Sequence, residues 1–432
     1  ELRRPSPTGT PTPAKRSHAP TTPNNPSRHS PNVLTKRSGQ SQNKTITRET
    51  EDLNMGHKTF IHADEERDCG CPQSPQTYKR NAKTINLAIQ GGGAHGAYAW
   101  GVIDRLLEDG RIKFEGISAT SAGSMNAVVT AYGNMKGGAG GARAALYNFW
   151  KKISDVGAIY SPLKQTPWEY FQSQLSGNWN SDQSVTYQMF DLFTRMLSPY
   201  QFNPINFNPV RQALEASVDF DELEKCQSTK LFLSATNVRT GNVRVFRTEE
   251  ITADVVMASA CLPMLFQAVK IEGEHYWDGG YMGNPALFPL FYHTQSRDLL
   301  VIHINPIERE ELPRSSPDIL NRLNEITFNA SLLKEMRAIA FVTKLIEEDW
   351  LKEEYKGKLK HLIMHSIRAE DVLSDLSVAS KFNTHWNFLL YLRDLGRDEA
   401  EKWLKKNFAN IGKRSTIDIH AEFLDIGTQH AG

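Results

Sequence analysis

The sequence predicts an α/β fold with a mainly parallel central sheet, preceded by a disordered tail and followed by a helical extension. Two consecutive segments each have the pattern of a strand, a tight turn and a helix. The start of the chain is polar and rich in proline, whereas its last third is charged with helical periodicity. We therefore expect three parts: a tail at residues 1–80, a catalytic domain at 83–308 and a mainly helical extension at 309–432, packed on the catalytic domain.

The tail, residues 1–80, is expected to be disordered. Prolines are frequent among Ser, Thr and Asn, and up to Arg48 there are nine Lys and Arg against one acid, Glu1. Such a segment cannot bury enough apolar area to offset the entropy lost on ordering. A solvated tail is the simpler interpretation, and a weak contact with anionic lipid or another acidic surface is the alternative.

The two strand–helix units begin directly after the tail. The first has a strand at residues 84–90 and a helix at about 94–108, which Gly110 ends. The second has a strand at 114–120 and a helix at 121–132. Because each helix returns the chain to the start of the next strand, the two strands are expected to be parallel.

Later elements are predicted from their local signals. Residues 134–142 are rich in glycine and are expected to form a loop. Segments 231–238 and 243–247 flank a turn sequence and are typical of a hairpin. A short helix at 254–261 and a buried strand at 299–303 complete this part.

Two segments have both a structural and a functional interpretation. Residues 149–207 are dense in aromatic side chains, which favours core packing, with an acyl-channel wall or a lid as the alternative. Residues 332–351 form an amphipathic pattern, which indicates a core-facing helix more often than one lying on a membrane.

Composition limits the classes of partner and site. The formal net charge is +1, so we expect no nucleic-acid partner. Four cysteines are too few for a disulfide framework, and Cys69 and Cys71 lack a second pair at zinc-ligand spacing, so no metal is expected. Without a run of 18 apolar residues or a signal peptide, the chain is expected to be cytoplasmic or peripherally membrane-associated. It starts at Glu1 without Met, as a processed form or a fragment would.

A glycine-rich loop, Gly91-Gly92-Gly93-Ala94-His95-Gly96, lies between the first strand and its helix. Backbone N–H groups in such a loop can converge on a phosphate or an oxyanion, and the helix N-terminus adds positive potential. Gly91, Gly93 and Gly96 also satisfy a dinucleotide-binding spacing, with Glu115 as a late acidic residue. This loop alone leaves both interpretations open.

Two shorter motifs carry reactive side chains. Ala119-Thr120-Ser121-Ala122-Gly123 closes the second strand, where a serine is either a nucleophile on a strained turn or a helix N-cap. Asp278-Gly279-Gly280 is by itself most often a turn.

The three motifs, in this order, resemble the patatin-like phospholipase family. That family combines a G-G-G-x-[RK]-G loop, a G-x-S-x-G elbow and a D-G-[GA] motif, and it uses a Ser–Asp dyad without histidine. The stretch Ala258-Ser259-Ala260-Cys261-Leu262-Pro263 also fits the family, and the resemblance covers residues 83–306. Two positions depart from the pattern: Ala119 replaces a glycine, and His95 replaces the basic residue of the loop.

The resemblance implies a three-layer α/β/α hydrolase that cleaves lipid esters without a cofactor. Ser121 would be the nucleophile and Asp278 its general base. The loop of Gly91, Gly92 and Gly93 would form the oxyanion hole, with the N–H groups of Gly92 and Gly93 as donors. Ala119, Ala122 and Gly123 would form the elbow. The substrate would be a lipid, either a glycerophospholipid or a lysophospholipid, with peripheral membrane contact.

Three alternatives remain at this point. A Ser-His-Asp hydrolase would recruit one of four downstream histidines, His293, His303, His361 or His365. A catalytically weak or silent lipid-binding protein is the second, because the methyl group of Ala119 could displace the serine. A nucleotide-binding protein is the third.

Overall fold

The structure is a computed structural model that describes residues 78–160 and 196–424, except 310, 356, 357, 374, 375, 377 and 378, together with 189, 192 and 194. The predicted disordered tail up to residue 77, the Cys69–Cys71 pair and residues 161–188 of the aromatic segment lie outside these residues.

In the part of the chain that the structure describes, one sheet of eight strands organises the fold. The strands are β1 (Lys83–Ile89), β2 (Ile112–Ala119), β3 (Lys230–Asn237), β4 (Val243–Arg247), β5 (Val269–Ile271), β6 (Glu274–Asp278), β7 (Asp298–His303) and β8 (Ile363–Arg368). Their order is β5-β6-β3-β2-β1-β7-β8, and β4 pairs with β3. The five neighbouring strands β3, β2, β1, β7 and β8 run parallel to one another. Strands β4 and β6 pair with β3 in the antiparallel direction, and β5 pairs antiparallel with β6.

The helices connect these strands and cover the sheet. They are α1 (Gly96–Asp109), α2 (Ala122–Tyr160), α3 (Pro199–Phe202), α4 (Pro209–Glu215), α5 (Phe220–Leu223), α6 (Ala253–Ser259), α7 (Phe288–His293), α8 (Ser316–Glu347), α9 (Glu370–Leu373) and α10 (Trp386–Asn407). Both strand–helix units, the hairpin, the short helix and the buried strand are confirmed, with boundaries shifted by one or two residues except at the end of the second helix, which was predicted at residue 132 and lies at Tyr160.

The sheet carries helices on both faces. On one face, α1, α2 and α10 meet around the buried ring of Trp100, which stacks on Trp150 at 6.2 Å and on Trp386 at 6.1 Å between ring centroids. On the other face, the fully buried Leu332 and Met336 of α8 pack in one cluster with strand residues of β7. These are the three layers that the sequence predicts.

The glycine-rich segment 134–142 forms a sharp kink between two helical halves of α2, where its composition predicts a longer loop. The backbone is non-helical at Gly137 and Gly138 and helical on either side of them. Its glycines serve a close approach of two backbones, since a Cβ atom on Gly133 would lie 2.7 Å from the carbonyl oxygen of Gly141. Small residues here let the two halves of the kinked helix pack tightly.

The C-terminal extension contributes a strand as well as helices. Strand β8 pairs with β7 in parallel from Ile363 opposite Asp298 to Arg368 opposite His303. Helix α10 crosses α1 closely, since a Cβ atom on Gly101 would lie 1.9 Å from the carbonyl oxygen of Arg393. The predicted division at residue 308 stays a prediction. None of the helices that the structure describes is long and apolar enough to cross a membrane.

Candidate active site

The register of β3 brings Ser121 and Asp278 to the same place. Leu233 pairs with Ala119 of β2 and with Phe246 of β4, so β2 and β4 lie on opposite edges of β3. Two residues later, Ala235 pairs with Arg244 of β4 and with Asp278 of β6, so β6 occupies the edge that β2 leaves after Ala119. Ser121 lies two residues after Ala119, where β2 ends, and Asp278 is the last residue of β6. The two residues are therefore brought side by side at this edge of β3.

Ser121 has the strained backbone of a nucleophile elbow. Its φ is 55°, in the left-handed region that non-glycine residues rarely adopt. The turn closes with a 2.9 Å hydrogen bond from the N–H of Gly123 to the carbonyl of Thr120, and α2 begins at Ala122. A Cβ atom on Gly123 would lie 2.6 Å from the carbonyl oxygen of Ile89, so the turn requires glycine there.

Ser259 holds this turn from a second element. Its Oγ accepts a 3.0 Å hydrogen bond from the backbone N–H of Ser121, and its side chain is fully buried at the end of α6. In the sequence, Ser259 is only part of the stretch 258–263 that fits the family, with no role of its own. Its contact with the serine turn could not be predicted from local sequence, because Ser259 lies far from Ser121 along the chain.

Asp278 is buried, with one carboxylate oxygen hydrogen-bonded and the other oxygen left over. Its Oδ1 accepts a 2.7 Å hydrogen bond from the N–H of Gly280. Among the described residues, no hydrogen bond of normal geometry reaches Oδ2, although the Ser121 side chain is close enough to lower the pKa slightly. Burial outweighs both interactions and raises the pKa of Asp278 to about 7.

The Asp-Gly-Gly motif is more than a turn. A Cβ atom on Gly279 would lie 2.2 Å from the carbonyl oxygen of Ser234, so glycine lets the chain pass against β3. The N–H of Gly280 then points back to the carboxylate. Both glycines therefore fix the position of Asp278.

The glycine loop lies against the elbow. A Cβ atom on Gly91 would lie 2.6 Å from the Cβ atom of Ser121. The N–H of Gly91 already donates a 2.8 Å hydrogen bond to Oδ1 of Asn284, so among the three loop glycines it is not a free donor, in agreement with the choice of Gly92 and Gly93 as oxyanion donors. The N–H groups of Gly92 and Gly93 donate to no described residue. The loop residue Gly93 has φ 58°, a conformation suited to glycine.

A buried network of amide side chains supports the loop, and the sequence analysis missed it. Gln90 accepts hydrogen bonds at Oε1 from the backbone N–H groups of Ile304 and Asn305, and its Nε2 donates to Asn329. Asn305 donates from Nδ2 to the carbonyl of Gly91 at 2.8 Å. The members come from three separate segments of the chain, so no local motif marks them.

His95, at the position of the family's basic loop residue, is buried. Its Nε2 lies 2.7 Å from the Oγ of Ser380. Burial, aided by the nearby cations Lys381 and Arg309, holds the pKa of His95 well below its usual range. The imidazole is therefore neutral near pH 7 and contributes no charge to the loop.

The histidines considered for a triad have other partners. His365 bonds to Asp298 and Thr416, His361 lies 3.2 Å from Glu347, and His293 contacts Arg247. His303 is fully buried, and burial lowers its pKa to about 4. In the described part of the chain, no histidine forms a hydrogen bond with Ser121 or Asp278.

The interpretation as a dinucleotide site lacks its predicted acidic residue near the glycine loop. The carboxylate of Glu115 accepts hydrogen bonds from the N–H groups of Gln295 and Ser296, which precede β7 at the opposite end of the sheet from the loop. Within residues 78–160 and the described parts of 196–424, no group of three or more His, Cys, Asp or Glu could hold a metal ion.

Comparison with solved structures finds proteins of low similarity. The chain is similar to VipD from Legionella pneumophila at 14% identity, over 82% of this chain and 74% of that one, with a TM-score of 0.35. It is similar to the type III effector ExoU at 13% identity and a TM-score of 0.30, covering 77% of this chain and 54% of that chain. ExoU in its complex with SpcU from Pseudomonas aeruginosa matches at 15% identity over 76% of each chain, with a TM-score of 0.28.

A comparison with protein families is more specific. No curated protein matches the chain. The family model described as Patatin-like phospholipase matches residues 87–291, which include the glycine loop, the elbow and Asp278. Residues 87–291 therefore match the patatin-like phospholipases, a family of lipid hydrolases, as the order of the three motifs predicts.

Proposed function

We propose that this protein hydrolyses carboxylic ester bonds of phospholipids through a catalytic dyad of Ser121 and Asp278. The observation that carries the proposal is the unused oxygen Oδ2 of a buried carboxylate at the elbow serine. In the described residues, no cationic side chain forms an ion pair with Asp278, so no ion pair lowers its basicity. A carboxyl with a pKa of about 7 accepts a proton far more readily than an ordinary Asp.

In the first step, the Oγ of Ser121 attacks the ester carbonyl carbon while its proton passes to Oδ2 of Asp278. The carbonyl oxygen becomes an oxyanion, which the N–H groups of Gly92 and Gly93 stabilise. Each such donor typically contributes about 100- to 1,000-fold in rate. The glycine loop supports this role because Gly91 lies against Ser121.

In the second step, the intermediate collapses and the bond from carbon to the leaving oxygen breaks. Asp278 returns its proton to this oxygen, so a neutral alcohol departs and an acyl-Ser121 ester remains. Water then gives a proton to Asp278 and attacks the acyl carbon. Collapse of the second intermediate returns the proton to the Oγ of Ser121 and releases the fatty acid.

The substrate proposed for this chemistry is a glycerophospholipid or a lysophospholipid, bound during peripheral contact with a membrane. The family match supports a lipid as substrate. A catalytically silent lipid-binding protein is the second candidate, because Ala119 is fully buried where the family pattern has glycine.

Turnover of mixed phospholipid vesicles tests the dyad. Ser121→Ala and Asp278→Asn should each lower the release of fatty acid by about a thousandfold or more, because each removes a group that reacts directly. Matched controls are Ser217→Ala, whose hydroxyl donates to the carbonyl of Ala213 and accepts from Lys152, and Glu335→Gln, a half-buried carboxyl with a raised pKa. Both controls should retain activity within about threefold.

A serine-directed fluorophosphonate probe separates the two candidates. Wild type should be labelled, and Ser121→Ala should not. Activity above a tenth of wild type in Ser121→Ala or Asp278→Asn would disprove the dyad. Lipid binding without labelling or turnover in wild type would favour the silent lipid-binding protein.

A further inference from the structure

The glycine loop has no cation of its own. The family pattern has Arg or Lys where this chain has His95, and the buried His95 is neutral near pH 7. Its ring contacts Ser380, which belongs to the turn Ala379–Phe382 in the C-terminal extension. The residue that follows in this turn is Lys381.

Lys381 reaches the loop from the C-terminal extension. A Cβ atom on Gly93 would lie 2.5 Å from the carbonyl oxygen of Lys381 and 3.4 Å from its Cβ atom, so the two backbones are in contact. The Nζ of Lys381 donates a 2.9 Å hydrogen bond to Oδ1 of Asn305. Asn305 in turn donates to the carbonyl of Gly91. One side chain therefore joins the ammonium group to the predicted oxyanion loop.

The charge of Lys381 is not neutralised locally. Within the described residues, no carboxylate forms an ion pair with Lys381. The acid that raises the pKa of Lys381, Glu325, is already bonded to Arg309 at 2.7 Å and to Arg322 at 3.0 Å. An ammonium has three N–H donors, and Asn305 uses one of them.

We propose that Lys381 is a specificity-determining residue that binds the phosphate of the lipid substrate beside the glycine loop. The inference rests on the proposed ester hydrolysis at Ser121. Glycerol holds the phosphate of a phospholipid within a few bonds of the ester, so an anion must lie near an ester held at Gly92 and Gly93. The side chain of Lys381 is only partly buried, which suits a solvated head group better than a buried oxyanion.

A matched pair of substrates isolates the phosphate. Lysophosphatidylcholine and monoacylglycerol with the same acyl chain present the same ester, and only the first carries a phosphate. Lys381→Gln should lower kcat/KM for lysophosphatidylcholine by about 10- to 100-fold, mainly through KM, because a charge-assisted hydrogen bond is lost. For monoacylglycerol, the change should stay below about threefold. Lys381→Arg should restore most of the loss.

A control lysine and a pH profile complete the test. Lys360 is also partly buried, and its Nζ donates a 2.8 Å hydrogen bond to the carbonyl of Thr294. Thr294 precedes β7, at the opposite end of the sheet from the glycine loop. Lys360→Gln should therefore leave kcat/KM for both substrates unchanged. Burial lowers the pKa of Lys381 to about 8, while Glu325 raises this pKa and Arg309 lowers it. His95, which also faces Lys381, is a neutral ring. Turnover of lysophosphatidylcholine relative to monoacylglycerol should therefore fall above about pH 8 in wild type and stay level in Lys381→Arg.

Each outcome decides one question. Equal losses on both substrates, or no loss on either, would overturn the phosphate role of Lys381 while hydrolysis of monoacylglycerol upholds the proposed function. If wild type hydrolyses neither lipid, the proposed function fails and this inference fails with it. Melting temperatures of all variants separate loss of binding from loss of fold.

Discussion

Two carboxyls among the described residues have similar pKa values but different surroundings. Burial raises the pKa of the fully buried Asp278 and that of the half-buried Glu335 to about 7. Glu335 lies on α8, and its Oε2 accepts 2.8 Å hydrogen bonds from the N–H groups of both Leu287 and Phe288. Asp278 accepts one backbone hydrogen bond at Oδ1, and its Oδ2 has no hydrogen-bond partner among the described residues.

The difference teaches that a raised pKa does not identify a base by itself. Glu335 uses its carboxylate to hold the chain after β6 against α8, and the described residues place no nucleophile beside it. Asp278 has a similar proton affinity, with a free oxygen and a strained serine as its neighbour. Geometry therefore separates a structural carboxyl from a candidate general base, and each can be tested with the other as control.

The largest expected contrast is in the pH dependence of turnover. With monoacylglycerol as substrate, log kcat/KM should rise with a slope near one up to about pH 7, because Asp278 must lose its proton to act as a base. Two pH units below this pKa, the rate should be about a hundredfold below its plateau. Glu335→Gln should leave the curve unchanged. If the pH profile shifts in Glu335→Gln, the group that titrates near pH 7 is Glu335, and its assignment to Asp278 is contradicted.

Stability should show the two carboxyls behaving alike. The folded-state pKa of Asp278 is raised from 3.8 to about 7, so its protonated form adds stability at low pH that is lost as pH rises through 7. Relative to wild type, Asp278→Asn should therefore gain about 2.5 kcal/mol in free energy of unfolding between pH 5 and pH 8. Glu335→Gln, whose pKa is raised from 4.5 to about 7, should gain a similar amount.

Urea denaturation at the two pH values measures both gains. A difference from wild type that does not change with pH would show that the carboxyl ionises normally in the folded protein. Together, the two experiments separate two effects. Burial raises the pKa of both carboxyls and should affect stability in both variants, whereas turnover should depend on Asp278 alone.

Local sequence predicted the elements and the reactive side chains because each depends on neighbouring residues. The strand–turn–helix units around Gly91 and Ser121 are examples. The supporting contacts were not predictable, since Ser259, Asn284 and Asn305 reach the loop or the elbow from distant parts of the chain.

Two differences from the sequence predictions have physical causes of the same kind. Glycines at 134–142 were interpreted as a loop, but the small size of Gly133 and Gly141 lets two helical halves pack tightly across a kink. Strand β8 escaped prediction because its pattern is short and its partner β7 lies far along the chain.

The smallest expected effect concerns Ala119, which precedes Ser121 in the elbow. The neighbouring Ser121 is what distinguishes Asp278 from Glu335. Ala119 is fully buried and belongs to the core cluster shared with α1 and α2. The tight contacts of the elbow lie elsewhere: Gly123 passes the carbonyl of Ile89, and a Cβ atom on Gly96 would lie 2.8 Å from the Cβ atom of Ala122. Glycine at these two positions makes room for the turn, so the methyl group of Ala119 is accommodated in the core. Ala119→Gly should therefore change kcat/KM by less than about tenfold, or about 1.4 kcal/mol.

The same substitution should cost stability, because it removes a buried methyl group and adds backbone freedom in a strand, together about 1–2 kcal/mol. Ala88→Gly is the matched control, since Ala88 is equally buried in β1 but belongs to the cluster on the other face of the sheet. Both variants should lose similar stability in urea, with turnover of a neutral ester nearly unchanged. A gain of a hundredfold or more in Ala119→Gly alone would mean that the methyl group holds Ser121 away from Asp278. The natural protein would then be a lipid-binding protein with a suppressed dyad, and the free oxygen of Asp278 would have no more catalytic use than the carboxylate of Glu335.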